Sequence, residues 1–97
     1  MPKAYWISNY QSIDNPDALA EYATIAGPAL KAAGANFLAR GMPAAIKEQG
    51  RSQRVVLIEF ESLQIALDAY NSPGYKKALA ILGDSAVVRD IRIIEGL

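Results

Sequence analysis

Residues 55–60 limit what this chain can fold into more than any other segment. They read Val-Val-Leu-Ile-Glu-Phe, a run of apolar residues with one carboxylate. Alternate side chains of an extended strand point to opposite faces, so this run places apolar groups on both. Both faces of the strand must therefore be covered in the folded protein.

Composition excludes several classes of function. The 97 residues are 52% hydrophobic, which predicts one domain over residues 1–97 with its own core. Ten basic residues balance ten acidic ones, so the charge predicts neither a nucleic-acid partner nor a membrane partner. The chain has no cysteine and no histidine, which removes thiol chemistry, the commonest general base and the commonest transition-metal ligand. We expect no metal and no cofactor.

The N-terminal residues contain no apolar core of the kind found in signal peptides. No apolar run approaches the roughly 20 residues that span a bilayer. The sequence therefore predicts a cytoplasmic protein.

Hydrophobic periodicity and turn residues divide the chain into four strands and two helical regions. The predicted strands cover residues 3–11, 35–41, 54–60 and 87–95. The helical regions run from about residue 16 to Gly34, its C-terminal cap, and from residue 63 to 82, with a break at 71–74. The predicted N-caps are Asp14 or Asn15, Ser62 and Ser72. Pro28 predicts a kink or a restart of the first helix near Ala26, because proline removes a helix hydrogen bond.

The order strand, helix, strand, strand, broken helix, strand is that of the ferredoxin-like βαββαβ plan. This is an α+β fold with helices on one face of an antiparallel four-stranded sheet. On the opposite face, apolar side chains are left uncovered. Burying each of them would contribute about 1.5–3 kcal/mol of stability. We therefore predict a homodimer in which two sheets pack face to face and form a dimeric α+β barrel.

Several segments resemble the family called domain of unknown function 1330. They lie at residues 3–7, 37–41, 54–62, 70–75 and 94–96. The combination of Arg-Val-Val-Leu-Ile-Glu-Phe-Glu-Ser with Tyr-Asn-Ser-Pro-Gly-Tyr carries most of the resemblance. It implies the dimeric α+β barrel superfamily, which includes cofactor-independent monooxygenases, haem-degrading enzymes and lactone isomerases, but it implies no reaction for the family itself. Gly74 stands where many members have Glu, so a role of that carboxylate does not transfer.

Two charged residues, Arg40 and Glu59, lie inside otherwise apolar strands. We expect Met42-Pro43 to end or bulge the second strand, residues 44–49 to resume it, and Gln49-Gly50 to form a hairpin turn. This turn places Arg40 opposite Glu59, and a bulge at Pro43 would shift that register by one residue. A buried unpaired charge costs several kcal/mol, so these two residues are expected to pair with each other. Two interpretations stay open: a structural ion pair, or a pocket in which Arg40 binds an acid or enolate oxygen and Glu59 is the catalytic base.

Aromatic residues with polar tips suit a planar organic ligand, and they suit an ordinary core equally well. The candidate ligand-binding residues are Trp6, Asn9, Tyr22, Arg40, Glu59, Tyr70 and Tyr75, with Tyr5 as a further aromatic. One hypothesis is a homodimeric binding module for a small apolar or aromatic ligand. The alternative is a cofactor-independent monooxygenase or isomerase acting on a phenolic or lactone substrate, with Glu59 as base.

Overall fold

A computed structural model describes residues 2–97. Its elements are β1 (Ala4–Ile13), α1 (Pro16–Ala32), β2 (Asn36–Gly41), β3 (Val55–Phe60), α2 (Leu63–Tyr70), α3 (Pro73–Leu82) and β4 (Val87–Glu95). The strands form one antiparallel sheet in the order β2-β3-β1-β4. This confirms the predicted α+β ferredoxin-like fold. Among the described residues, no helix is long and apolar enough to cross a bilayer.

The helix starts lie at the predicted capping residues. The Asn15 side chain accepts a hydrogen bond from the Ala18 amide at 3.1 Å, and Ser62 caps α2 through the Ile65 amide at 3.2 Å. Each cap satisfies an amide that has no partner inside its helix. Local sequence therefore determines where the helices begin.

The end of α1 follows the predicted glycine signal. Gly34 has a φ of 104°, which glycine adopts without a steric penalty. The Ala35 amide bonds to the Leu30 carbonyl at 2.9 Å and the Gly34 amide to the Lys31 carbonyl at 3.0 Å. These two bonds form a Schellman motif, which satisfies carbonyls at the helix end.

Of the two alternatives predicted near Ala26, a kink or a restart of α1, the restart does not occur. α1 is one helix that contains Pro28. A proline inside a helix costs about 3 kcal/mol, but α1 buries Tyr22, Ala26 and Leu30 on the sheet. Burial of large side chains at about 1.5–3 kcal/mol each offsets that cost and keeps the helix continuous.

Ser72 joins α2 to α3. Its hydroxyl accepts a hydrogen bond from the Tyr75 amide at 3.4 Å and donates one to the Ala69 carbonyl at 2.8 Å. We expect Ser72→Ala to lower the free energy of unfolding by about 1 kcal/mol, the usual loss for an N-cap, measured by urea denaturation. Ser85→Ala, which changes an exposed serine, is the control and should leave stability unchanged. Equal stability of the two variants would contradict the capping role.

The sheet has a helix-covered face and an open face. Trp6, Phe60 and Ile58 lie on the covered face and are at most 2% exposed. On the other face Ile7 and Leu57 are only partly buried, and none of the three described helices packs over them. The apolar open face expected from the strand pattern is therefore present.

The predicted register between β2 and β3 is wrong. Arg40 lies opposite Val56, and Glu59 lies opposite Asn36. The register shifts between Phe37 and Ala39, which marks a β-bulge. Residues 44–49 do not continue the strand; the chain from 42 to 54 is an irregular connection. A connection of this length does not set strand register as a two-residue turn does.

Candidate functional site

A cleft lies between α1 and the covered face of the sheet. β1 contributes Trp6, Ser8 and Tyr10 to its lining, and α1 contributes Tyr22 and Ala23. The cavity volume is about 70 Å³, several times the space that one water molecule needs. The alternation of β1 places two polar side chains, Ser8 and Tyr10, on the same face as Trp6, and these give the cleft its chemistry.

Arg89 of β4 lies at the centre of a cluster of three phenols, here called the Arg89 cluster (Arg89, Tyr10, Tyr22 and Tyr75). One guanidinium nitrogen donates to the Tyr10 hydroxyl at 3.0 Å and to the Tyr22 hydroxyl at 3.2 Å. The other donates to the Tyr75 hydroxyl at 3.1 Å. The Tyr22 and Tyr75 hydroxyls are 2.6 Å apart and share a hydrogen bond. The cluster therefore joins β1, α1, α3 and β4 beneath the cleft.

The charge states within the Arg89 cluster are well defined. Burial raises the pKa of Tyr22 more than the adjacent Arg89 lowers it. Burial also raises the pKa of Tyr75, so both phenols are neutral at physiological pH. Burial opposes the charge of Arg89, but the surrounding phenols raise the pKa of its guanidinium above the usual value. The cluster holds a permanent positive charge among neutral hydroxyls.

Ser8 carries a buried hydroxyl without a hydrogen-bond partner among residues 2–97. The residue is 4% exposed, and its Oγ makes no hydrogen bond to the protein. Leaving such a group unsatisfied costs about 1–3 kcal/mol. Because Ser8 lines the cleft, its hydroxyl is available to a bound molecule.

The unsatisfied Ser8 hydroxyl leads to a prediction about the stability of the protein. We expect Ser8→Ala to raise the free energy of unfolding of the ligand-free protein by about 1 kcal/mol, because the methyl group removes an unsatisfied hydroxyl. Ser52→Ala, at an exposed loop position, should change stability by less than about 0.5 kcal/mol. Chemical denaturation compares the two variants. A destabilised Ser8→Ala protein would show that the hydroxyl makes a stabilising bond within the fold.

Two further arginines belong to the lining of the cleft. Arg40 of β2 and Arg54, just before β3, both line it, and the Arg40 guanidinium lies 5.3 Å from the centre of the Phe37 ring. Together with Arg89 they are the charged residues of the described lining, which contains no carboxylate. The electrostatic character of the cleft is therefore positive.

Tyr70 and Tyr75 pack mainly in the hydrophobic core beside the cleft. The Trp6 ring contacts Tyr75 edge-on, with centroids 5.3 Å apart, and Tyr70 in a tilted arrangement at 5.6 Å. Tyr75 is fully buried, so that it acts on the cleft only through Tyr22 and Arg89.

The structure places Tyr5, Asn9 and Glu59 on the open face, away from the cleft. Glu59 bonds to Lys3 Nζ at 3.2 Å and to the Asn36 side chain at 3.3 Å. These hydrogen bonds lower the pKa of Glu59, that from Asn36 most. The predicted Arg40–Glu59 pair is therefore wrong. The two side chains lie on opposite faces because the bulge in β2 changes the register.

Of the predicted residues, the structure brings Trp6, Tyr22 and Arg40 together at the cleft. Sequence reasoning missed Ser8, Arg89, Tyr10 and Arg54. The sequence did contain a signal for Arg89. This arginine shares its strand face with two isoleucines, and an arginine among apolar side chains needs a polar partner. Among the described residues, no cluster of acidic side chains could hold a metal ion.

Comparison with solved structures shows the same fold in several proteins. RPA0582 from Rhodopseudomonas palustris, a protein of unknown function, has a TM-score of 0.71 and 17% identity, over 97% of this chain and 80% of that one. SnoaB, a cofactor-independent oxygenase from Streptomyces nogalater, has a TM-score of 0.64 and 10% identity, over 97% and 92%. A candidate antibiotic biosynthesis monooxygenase from Caulobacter crescentus CB15 has a TM-score of 0.64 and 15% identity, over 99% and 91%. Identities this low show the fold alone.

No curated protein matches this sequence. The family model of DUF1330, a domain of unknown function, matches residues 3–97. That match covers nearly the whole chain, and it includes the strands and the helix that build the cleft. The chain belongs to the DUF1330 family.

Proposed function

We propose that this protein binds a small aromatic molecule in the cleft between α1 and the sheet, as a cytoplasmic homodimer joined through its open sheet faces. The observation that carries the binding proposal is the Ser8 hydroxyl, which is buried in an aromatic cleft without a partner among the described residues. Ligand sites commonly combine apolar walls with a few polar groups that fix orientation. Ser8 and Tyr22 are such groups here.

The dimer proposal is supported by the open face. Ile7 and Leu57 form its apolar centre on neighbouring strands, where they lie opposite each other. Asn9, Glu59 and Arg92 supply polar groups around them. An apolar centre with a polar rim is typical of protein interfaces. A two-fold axis through the centre would bring the same patch of both subunits together.

Binding without reaction is supported better than catalysis by a cofactor-independent oxygenase or isomerase. Glu59, the base of that alternative, lies on the opposite face of the sheet from the cleft, and its pKa is lowered. A lowered pKa makes a carboxylate a weaker base. The fold shared with SnoaB does not transfer a reaction, because one fold serves many functions.

Blocking the cleft tests the binding proposal. Ala23→Leu adds bulk at the lining, while Ala20→Leu adds the same bulk at an exposed position of α1 outside it. We expect the first variant to weaken binding of single-ring aromatics at least about tenfold, a loss of about 1.4 kcal/mol, and the second to leave it unchanged. Ligand-observed NMR with phenol, benzoate and benzamide measures this. The proposal fails if none of the three binds, or if Ala23→Leu binds as the unaltered protein does.

A further inference from the structure

We infer that the cleft selects an anion, specifically a small aromatic carboxylate whose acid group is held by the Ser8 hydroxyl and the Arg89 guanidinium. The inference rests on the proposed function and names the class of ligand. Three observations carry it: the distribution of charge, the balance of hydrogen-bond donors in the Arg89 cluster, and the unpartnered hydroxyl of Ser8.

The charge at the cleft departs from that of the whole chain. Ten basic residues balance ten acidic ones in the sequence, yet the described lining contains Arg40, Arg54 and Arg89 and no carboxylate. None of these arginines forms a salt bridge within residues 2–97; the ion pairs found there involve Lys3 and Arg92. Half-buried Arg89 therefore has a charge that no described carboxylate neutralises. An anionic ligand would supply the missing charge.

The hydrogen bonds of the Arg89 cluster leave donors unused. All three phenol oxygens accept from Arg89, so each phenol proton needs another acceptor. Tyr75 is fully buried and Tyr22 lines the cleft, which favours donation from Tyr75 to Tyr22 across their 2.6 Å contact. The protons of Tyr22 and Tyr10 then have no acceptor among the described side chains. Both remain available to a ligand.

Ser8 adds a donor on the same strand face. Ser8 and Tyr10 are two residues apart on β1, and Tyr10 pairs with Arg89 across the strands, so the hydroxyl and the cluster border one space. The part of the cleft beside Ser8 and the Arg89 cluster thus offers O–H and N–H donors. A carboxylate, which only accepts hydrogen bonds, is complementary to such a site, and charge-assisted bonds are about twice as strong as neutral ones. A neutral amide would place its own N–H group against donors.

The aromatic part of the ligand follows from the remaining lining. Trp6, Phe37 and Leu19 form apolar walls, two of them aromatic, which suit an aromatic ring. Flat apolar walls beside a cationic end fit a benzoate-like molecule better than an inorganic anion or an aliphatic diacid.

Calorimetric titration with benzoate and with its neutral isostere benzamide tests the inference. We expect benzoate to bind at least about tenfold more tightly, as one charge-assisted interaction requires. Arg89→Gln should abolish this preference. Arg51→Gln is the matched control, because Arg51 is exposed in the connection between β2 and β3 and is not part of the cleft lining, and it should keep the preference. Tyr22→Phe keeps the ring, removes one donor and should reduce the preference about fivefold.

The outcomes separate the two proposals. Preference for benzoate that Arg89→Gln removes and Arg51→Gln retains supports the carboxylate site. Equal binding of benzoate and benzamide overturns the inference and leaves the aromatic binding function standing. Binding of neither compound overturns the inference, and if phenol does not bind either, the aromatic binding function is overturned as well. If circular dichroism shows that Arg89→Gln does not fold, Tyr22→Phe decides, and an unchanged preference in that variant overturns the inference.

Discussion

Leu57→Asp is expected to convert the proposed homodimer into monomers without unfolding the subunit. Leu57 lies at the centre of the open face, next to Ile7. By symmetry the variant places a carboxylate on each side of the interface, and a buried unpaired charge costs several kcal/mol. Even 2 kcal/mol from each subunit corresponds to a loss of dimer affinity of about a thousandfold. Light scattering after size-exclusion chromatography, over a range of concentrations, measures the effect.

The control for this variant is Leu67→Asp. Leu67 is an exposed leucine of α2, on the helical side of the sheet, and the same charge there should leave the dimer intact. A monomeric wild-type protein at high concentration would contradict the proposed dimer. Equal dissociation of both variants would show that charge alone, at any surface position, breaks the association.

Trp6→Ala is expected to cost about 3–5 kcal/mol of the free energy of unfolding. Trp6 is 1% exposed, and its ring contacts Phe60, Tyr70 and Tyr75. Removing such a side chain loses both its burial and the packing around the cavity left behind. A domain of ordinary stability, about 5–15 kcal/mol, retains little after that loss.

Urea denaturation followed by circular dichroism checks the Trp6 prediction, since the chain has one tryptophan and its fluorescence disappears with the substitution. Trp6→Phe, which keeps a ring, should cost less than Trp6→Ala. A loss below about 1.5 kcal/mol for Trp6→Ala would mean that the core beneath the cleft does not depend on this ring.

The boundaries of several helices and strands lie where local signals in the sequence predict them. Ser62 and Ser72 cap the helices that they were expected to cap, and the last strand runs from Val87 to Glu95 as predicted. Each of these boundaries depends on neighbours within a few residues, so the sequence around it contains the needed information. The restart expected at Pro28 did not occur, because burial of a helix face is a tertiary effect that outweighs a local preference.

The site was less accessible to sequence reasoning because it depends on strand register. The expected pair of Arg40 and Glu59 required a two-residue turn, whereas the bulge after Phe37 and the irregular connection after Gly41 set a different alignment. Arg89 meets Tyr10 only because β4 pairs with β1, and the two are far apart in the chain. Their contact is a property of the assembled sheet, which local pattern does not contain.

The measurement that tests the binding cleft most directly is methyl NMR of the protein titrated with benzoate. We expect the methyl resonances of Ala23 and Ala26, which line the cleft, to shift in a saturable manner. Those of Ile7 and Leu57 on the open face should stay in place. Saturable shifts at Ile7 and Leu57 with none at Ala23 and Ala26 would place the ligand on the open face and contradict binding in the cleft.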